Sequence, residues 1–227
     1  MKKIIMKISS DTLSILQNYA VINNGILVKE GNVLETISTQ KTLLAKAEVA
    51  ESFPRKFCIY DLSQFLGTVS LFNDPEFEFG DNAVNISSND TRLKYVYAEP
   101  NTIITPPDKQ LERSGEIVFK LSSDHFSQLT KAASVLSVPN LVITEDDGSI
   151  VATATDVKNT TSNEFCVKLL NGGSESGDFK MVLKIENLKL IPDDYDVCIS
   201  SKGIAFFSGT KADYWVAVEQ KDSVYNS

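Results

Sequence analysis

The sequence predicts an α+β protein made of two similar domains, each with two short helices packed on antiparallel sheets. Three observations lead to this prediction: an internal repeat, helical spacing of apolar residues behind a Ser-Ser-Asp sequence in both halves, and strand-type alternation over much of the remaining chain. We place the first domain at residues 1–104 and the second at residues 116–227. Residues 105–115, rich in proline at one end and ending in glycine, are the predicted connector.

The internal repeat relates residues 7–16 to residues 120–129. Lys, Ser, Ser, Asp, Ser and Leu recur in the same order at an offset of half the chain length. In each copy an alternating strand leads into a Ser-Ser-Asp cap, and a helix with one apolar stripe follows. The stripe residues are Leu13, Leu16 and Ala20 in the first copy and Phe126, Leu129 and Ala133 in the second.

After each of these helices, the sequence predicts a β-hairpin and then a shorter helix. The hairpins cover residues 26–34 and 141–152, and each has a glycine in its turn because glycine adopts positive φ readily. The shorter helices start near Tyr60 and Lys184, and Pro192 ends the second of them.

Acidic residues are unevenly distributed along the chain. The formal net charge is −8 at pH 7, which argues against a protein that binds nucleic acid through one basic patch. Four helix bodies nevertheless contain no Asp or Glu, and their basic residues are Lys131 and Lys189. Acid-free helices in an acidic chain indicate a surface that must not repel phosphate. These bodies are residues 12–20, 62–72, 125–138 and 187–191.

Residue patterns for catalysis, metal binding or cofactor binding are missing from the sequence. The chain has one histidine, His125, which follows a helix cap and is interpreted as a surface or capping residue. Cys58, Cys166 and Cys198 lack zinc-ligand spacing and are expected to be reduced thiols. A Gly-rich phosphate loop of either common type is also missing. The sequence therefore predicts a protein that is not an enzyme and needs no cofactor or metal.

Five stretches of the sequence carry a family resemblance. They are residues 11–26, 59–67, 70–74, 187–195 and 212–219, the last reading Ala-Asp-Tyr-Trp-Val-Ala-Val-Glu. Along nearly its whole length the chain resembles the DNA sliding clamp, or processivity factor, of T4-type bacteriophages. The resemblance implies the DNA clamp fold and a ring in which three two-domain chains join head to tail. Such a ring encircles duplex DNA and tethers the replicative DNA polymerase.

The resemblance implies a DNA-facing surface on the helices. Lys131 and Lys189 fall where the family places basic residues, whereas Gln17 and Ser134 stand where a basic residue is expected. The hole of the ring should therefore be less positive than usual, so that enclosure holds DNA more than direct contact does. The predicted DNA-facing residues are Lys131, Lys184, Lys189, Gln17, Asn18 and Ser134.

The resemblance also implies a partner pocket and a subunit contact. Partner tails dock in an apolar pocket near the domain junction, and Trp215 is either part of this pocket or an ordinary core residue. The subunit contact is predicted as pairing of edge strands at 92–97 and 164–170, with two interior strands as the alternative. The predicted pocket residues are Ile103, Ile104, Leu111, Tyr214 and Trp215. The predicted contact residues are Arg92, Lys94, Tyr95, Tyr97, Glu164, Phe165, Val167 and Leu169.

The implied partners are double-stranded DNA bound without sequence specificity, two further copies of the chain, the replicative DNA polymerase and the ATPase that loads the clamp. Transcription factors are additional candidates. We expect the protein in the cytoplasm of the infected bacterial host, because no apolar run in the sequence is long enough for a membrane span. The alternative hypothesis is a structural or assembly β-protein of a virus with no role in replication.

Overall fold

The computed structural model describes residues 5–109, 111–169, 173–174 and 178–226. The chain divides into two compact units, residues 1–108 and 109–227. The division falls inside the segment that the sequence predicts as a connector, in which Gln110 lies outside the described residues.

The first unit combines two α-helices with short antiparallel strands. Its helices are α1 (Ser10–Ile22) and α2 (Leu62–Val69), and a 3-10 turn forms at Pro100–Thr102. Its strands are β1 (Ile5–Met6), β2 (Ile26–Val28), β3 (Gly31–Ile37), β4 (Leu43–Phe53), β5 (Phe57–Ile59), β6 (Glu76–Phe79), β7 (Ala83–Ser88) and β8 (Thr91–Val96). They form a four-stranded sheet in the order β1-β6-β7-β8 and the pairs β2-β5 and β3-β4.

The second unit has one full helix and two runs of antiparallel strands. The helix is α3 (Ser123–Leu136), and a 3-10 turn forms at Ile185–Asn187. Its strands are β9 (Ile117–Leu121), β10 (Asn140–Asp146), β11 (Ser149–Thr155), β12 (Phe165–Lys168), β13 (Gly173–Ser174), β14 (Phe179–Lys184), β15 (Tyr195–Ser200), β16 (Ile204–Ser208), β17 (Asp213–Ala217) and β18 (Val224–Tyr225). One run has the order β12-β11-β10-β14-β18 and the other has the order β13-β9-β15-β16-β17.

Serine residues cap the two long helices, as the internal repeat predicts. Ser9 Oγ accepts a hydrogen bond from the backbone N–H of Thr12, and Ser122 Oγ accepts one from that of His125. Each cap satisfies one of the N–H groups that a helix start leaves free. In the described part of the chain, no helix combines the length and the apolar character needed to cross a bilayer.

A carboxylate from a distant part of the same unit also holds each of these helix starts. Glu51 accepts hydrogen bonds from the Ser9 N–H and the Thr12 hydroxyl, and Asp194 accepts one from the Ser123 N–H. Partial burial acts to raise the pKa of Glu51, but the hydrogen bonds from Thr12 and Ser9 outweigh it and lower that pKa. Because the positive end of a helix dipole favours a negative charge, both contacts stabilise the helix on its sheet.

The apolar stripe of α3 is confirmed, and that of α1 is displaced. Phe126, Leu129 and Ala133 are buried as predicted. In α1 the predicted Leu13 and Ala20 are only partly buried, because the helix is rotated to place other side chains inside. The buried residues of α1 are Thr12, Ile15, Leu16, Tyr19 and Ile22.

The hairpin predicted at residues 26–34 is wrong in its pairing. β2 pairs with β5, with Ile26 opposite Ile59, and β3 pairs with β4. Ile26 and Ile59 are both almost fully buried, so the apolar side chains of β5 complete the burial of this three-residue strand. Gly31, at φ 110°, provides the turn between β2 and β3 without a hairpin ladder.

The hairpin predicted at residues 141–152 is confirmed. β10 and β11 pair from Asn140 opposite Thr155 to Asp146 opposite Ser149. Asp147 and Gly148 form the turn, and both have positive φ, 48° and 70°. This two-residue geometry matches the right-handed twist of the flanking strands.

The fourth predicted helix is reduced to a single 3-10 turn. Lys184 ends β14, and no helix continues beyond Asn187 in this described stretch. Leu188, Leu190 and Ile191 are buried, so the apolar spacing that predicts a helix reflects an irregular segment packed on the core. The α+β class is unaffected by this difference.

Asp193 fastens the turn between β16 and β17 to the segment before β15. Its carboxylate accepts hydrogen bonds from the N–H and hydroxyl of Thr210 and from the N–H groups of Lys211 and Asp194, at 2.7 to 3.2 Å. Partial burial acts to raise the pKa of Asp193, but these hydrogen bonds outweigh it and lower that pKa.

We predict that Asp193→Asn lowers the melting temperature near neutral pH by about 2–4 °C, the change that a loss of about 1 kcal/mol produces in a chain of this size. A lowered folded-state pKa means that the ionised carboxylate stabilises the fold above the unfolded-state pKa and loses this effect as pH falls through the folded-state pKa. The difference between variant and unchanged protein should therefore shrink below about pH 4. Thermal unfolding followed by circular dichroism measures it, and Asp147→Asn at the exposed hairpin tip is the control. A difference that persists at the lowest pH would contradict the prediction.

Candidate nucleic-acid, subunit and partner surfaces

Most of the predicted DNA-facing residues lie on exposed parts of the helices. Gln17 is exposed on α1, where Asn18 is partly buried. Lys131 and Ser134 are exposed on α3, one helical turn apart, and Lys189 is exposed just past the 3-10 turn. Each of these residues lies on a surface of its own unit that is accessible to a large polyanion.

Lys184 differs from the other predicted DNA-facing residues. It ends β14 instead of opening a helix, and its Nζ lies 3.4 Å from Glu219 Oε1. Lys184 and Ser134 line the same cavity of about 540 Å³, together with Asp156 and Glu186. Because acidic groups partly neutralise Lys184, we expect it to attract DNA less than Lys131 does.

The exposed positions of the helices beyond their first turns carry no acidic residue. In the first unit these positions are uncharged, and in α3 the single charge among them is Lys131. In this chain of net charge −8, the exposed acids of α1 and α3 are confined to the first turns, at Asp11 and Asp124. The exposed positions beyond the first turns are Gln17 and Val21 on α1, Gly67 on α2, and Ser127, Gln128, Lys131, Ser134 and Val135 on α3.

The two segments predicted to join subunits are edge strands of their own units. β8 pairs with β7 and β12 pairs with β11, and no other described strand of the same unit lies beside either of them. The alternative of two interior strands is therefore wrong within each unit. Leu170, at the end of the predicted segment, lies outside the described residues.

The side chains of β8 alternate between solvent and the first unit. Arg92 and Lys94 are exposed. The Tyr95 ring packs edge-on against Phe65 with ring centroids 5.1 Å apart, and the Tyr97 ring stacks on Phe57 at 5.3 Å. Burial raises the pKa of Tyr97 to about 12, and among the described residues its hydroxyl has no hydrogen-bond partner. Tyr95 and Tyr97 thus hold the edge strand on its own unit.

The predicted residues around β12 also divide into exposed side chains and side chains packed inside their own unit. Glu164 is exposed, and its Oε1 accepts a hydrogen bond from the Thr155 hydroxyl at 3.3 Å. Phe165 packs against the core cluster next to α3, and Val167 and Leu169 are buried. A neighbouring subunit could therefore reach Glu164 and the strand backbone, whereas the three apolar side chains are already used inside the unit.

The predicted pocket residues are divided between the two units. Ile103 and Ile104 belong to the first unit, with Ile103 buried and Ile104 42% exposed, whereas Leu111 in the second is half-buried. Tyr214, also predicted for the pocket, lies in the core of the second unit. Its side chain is fully buried among the rings facing α3, and its hydroxyl accepts a hydrogen bond from the Ile191 N–H at 3.2 Å. This burial raises the pKa of Tyr214 well above its usual value.

Trp215 points to the opposite face of β17 because successive side chains of a strand alternate. Its ring lies 4.9 Å from the ring of Phe206, its partner on β16. Its indole N–H donates to the Glu112 carbonyl at 2.9 Å, and the Arg113 guanidinium lies 5.5 Å from its ring centroid. Trp215 is therefore buried by residues of the predicted connector and not by the helix-side core.

In the described part of the chain, no group of three or more His, Cys, Asp or Glu is arranged to hold a metal ion.

Comparison with solved structures identifies the fold. PCNA from Thermococcus kodakaraensis superposes with a TM-score of 0.72 at 12% identity, covering 96% of this chain and 99% of that one. The beta clamp of Helicobacter pylori superposes with a TM-score of 0.70 at 13% identity, covering 100% of this chain and 66% of that one. The fold is that of the DNA clamps, as the sequence predicts.

Comparison of sequences identifies the family. Residues 9–105 match a family model described as DNA polymerase processivity factor, and residues 118–220 match one described as gp45 sliding clamp, C terminal. The sliding clamp of Vibrio phage KVP40 is 29% identical over 220 residues, covering 94% of this chain and 99% of the relative. The sliding clamp of Enterobacteria phage T4 is 28% identical over 221 residues, covering 94% and 97%. The chain belongs to the sliding clamp family of T4-type phages.

Sequence reasoning misses three residues around Trp215. Glu112 and Arg113 belong to the predicted connector, for which the sequence indicates no packing role, and Phe206 is not among the predicted site residues. The alternation of residues 204–208 could indicate that Phe206 and Phe207 face opposite sides. The register that sets Phe206 opposite Trp215 depends on the pairing of β16 with β17 and is not readable from either strand alone.

We predict that Tyr214→Phe lowers the free energy of unfolding by about 1–3 kcal/mol, since it leaves the buried Ile191 N–H without its acceptor. Chemical denaturation measures the change, and Tyr60→Phe at an exposed tyrosine is the control. Binding of a polymerase tail should be unaffected once the variant is folded. A loss of tail binding with unchanged stability would instead place Tyr214 in the partner pocket.

Proposed function

We propose that three copies of this chain close into a ring that encircles duplex DNA and tethers the replicative DNA polymerase during synthesis. The observation that carries this proposal is the match of both halves of the chain to sliding clamp and processivity factor families, on a fold shared with DNA clamps. In this role the protein catalyses no reaction. Energy for opening the ring comes from a separate loader ATPase.

The helix faces support weak, sliding contact with DNA. Neutral polar side chains and Lys131 and Lys189 can meet phosphates without the repulsion that acids would cause. Contacts to phosphate carry no sequence information, so the ring can move along any duplex. Because enclosure keeps the protein on DNA, few direct contacts are needed, and this resolves the apparent conflict with the net charge of −8.

The two edge strands support head-to-tail closure. We propose that β8 of one chain pairs with β12 of the next, which extends a sheet across the subunit boundary. Each edge strand then receives the backbone partners that it lacks within its own unit. Arg92 and Lys94 on one edge and Glu164 on the other favour this pairing over pairing of two like edges.

The surface around Trp215 supports the tether. The related solved structures include A. fulgidus PCNA with the C-terminal region of FEN-1 bound, and the Helicobacter pylori clamp with a DNA ligase peptide bound. We propose that this chain likewise binds an extended tail of the polymerase, beside Trp215 and Leu111. A tail held on the ring keeps the polymerase at a high effective concentration at the primer end.

Further partners follow from the same proposal. The loader ATPase has to bind the ring in order to open it, and transcription factors with similar tails could use the same surface. Since the curated relatives are phage proteins, we place the activity in the cytoplasm of an infected bacterium.

We predict that Lys131→Glu with Lys189→Glu shortens the dwell time of loaded rings on closed circular DNA and leaves the trimer intact. The slope of the logarithm of dwell time against the logarithm of salt concentration should become shallower by about one for each phosphate interaction that the substitutions remove. The dwell time is measured from the fluorescence of labelled clamp on circular DNA, and sedimentation shows whether the trimer remains. Lys56→Glu with Lys221→Glu is the control of equal charge. Linearising the circle should release all variants at the DNA ends; retention on linear DNA would contradict enclosure.

We predict that Lys94→Glu raises the concentration at which the trimer forms by about tenfold, which corresponds to about 1.4 kcal/mol. Sedimentation across micromolar concentrations measures it, and Lys221→Glu is the matched control. Adding Glu164→Lys to the same chain should restore the trimer, because opposite charges then meet again across the edges. An unchanged trimer in the single variant would contradict the proposed contact. Open-ended assemblies that do not stimulate polymerase on primed circles would favour a viral assembly protein.

A further inference from the structure

A row of four side chains crosses one face of β9, β15, β16 and β17. Val118 is paired with Cys198, Cys198 with Phe206, and Phe206 with Trp215. Directly opposed residues of antiparallel strands point to the same side, so these side chains form one continuous apolar row. The row lies on the face opposite α3, because Tyr195, Phe207 and Tyr214 fill the other face, where Tyr195 meets Phe126 of α3.

This row is covered at one end and open at the other. Phe206 and Trp215 are each 6% exposed, whereas Val118 is 49% exposed. A cavity of about 440 Å³ lies between these ends, and its lining includes Val118, Cys198, Phe206 and Arg113. The cavity is large enough for one or two side chains of an extended peptide and too small for a folded element.

Glu112 and Arg113 form the cover at the aromatic end. The Arg113 guanidinium lies 5.6 Å from the Phe206 centroid and 5.5 Å from the Trp215 centroid, a cation–π arrangement on both rings. Its Nη2 lies 3.3 Å from Asp213 Oδ2. The Glu112 carbonyl accepts the indole N–H of Trp215, and the Arg113 carbonyl accepts the Cys198 thiol at 3.4 Å.

Two contacts of this cover, the cation on the two rings and the acceptor of the indole N–H, can be exchanged for contacts with a peptide. The Arg113 side chain is 55% exposed, so its guanidinium can move into water without loss of solvation. An apolar side chain would cover Phe206 and Trp215 at least as well, and a peptide carbonyl would accept the indole N–H as Glu112 does. The Lys202–Glu112 ion pair that helps to hold the segment is also exposed and therefore weak.

We propose that Arg113 is a gate on the partner surface. In the free protein its guanidinium covers Trp215 and Phe206, and an extended polymerase tail with an apolar side chain displaces it and docks along the row toward Val118. This inference rests on the proposed tether and adds to it a closed state that a partner has to open. The partner's affinity is then reduced by the population of the closed state.

The gate itself can be tested without a partner, because Trp215 is the one tryptophan of the chain. Arg113→Ala should shift the tryptophan emission to longer wavelength and increase its quenching by acrylamide. Lys120→Ala, which removes another exposed cation on the same face, should change neither. Arg113→Lys, which keeps the charge but loses the planar stack, should lie between. Unchanged emission and quenching in Arg113→Ala would overturn the gate.

The effect on binding is measured with a synthetic peptide of the last residues of the replicative polymerase from the same phage. Arg113→Ala trimer should bind this peptide about three- to tenfold more tightly than the unchanged trimer, since the tail no longer has to displace the cation. Equal or weaker binding, or no binding to either protein, would overturn the gate.

Polymerase stimulation on primed circular DNA separates this outcome from failure of the clamp function. Stimulation by the unchanged protein, with no effect of Arg113→Ala on peptide affinity, would leave the clamp intact and remove only the gate. Absence of stimulation and of a trimer in the unchanged protein would remove the proposed function itself.

Discussion

Free backbone groups at the edges of the sheets are the constraint on which the proposed assembly of this protein depends. β8 has six residues and β12 has four, whereas β1 and β18 at the other ends of their sheets each have two within the described part of the chain. A long edge strand pairs with any compatible strand unless it is protected. Both edges carry exposed charged side chains, and most of their apolar side chains pack inside their own unit, whereas Val96 of β8 is 64% exposed. Edges of this kind suit the head-to-tail pairing that we propose for a closed ring of identical chains.

The second constraint is electrostatic, and it acts on the placement of charge. A chain of net charge −8 has to accept a polyanion in close proximity. The protein meets this condition with helices that expose no acid beyond their first turns and that carry little added positive charge. Screening limits the repulsion from acids elsewhere to about 8–10 Å at physiological salt. Enclosure then keeps the protein on DNA, as phosphate contacts do in ordinary DNA-binding proteins, and it leaves the protein free to slide.

The sequence predicted those features that depend on local chemistry. The Ser9 and Ser122 caps and the hairpin around Gly148 follow from short-range rules, and the structure contains them. The pairing of β2 with β5 could not be predicted in this way, because it joins segments about thirty residues apart in response to mutual burial. The irregular segment after Asn187 has helical apolar spacing without a helix, since its core contacts override its propensity.

The sequence predicts a candidate site residue well when its exposure follows from its own place on one helix or strand. Lys131 and Gln17 are exposed on helices, as a DNA-facing role needs. Tyr214 and Trp215 appear together in sequence as one apolar group, yet a strand sends them to opposite faces. The two residues therefore have different roles. Tyr214 lies in the core and accepts a hydrogen bond from the Ile191 N–H, whereas Trp215 donates one to the Glu112 carbonyl in the connector. The segment that links the two domains thereby has a second role in the proposed function, because the residues that lead into β9 also cover the proposed partner surface around Trp215.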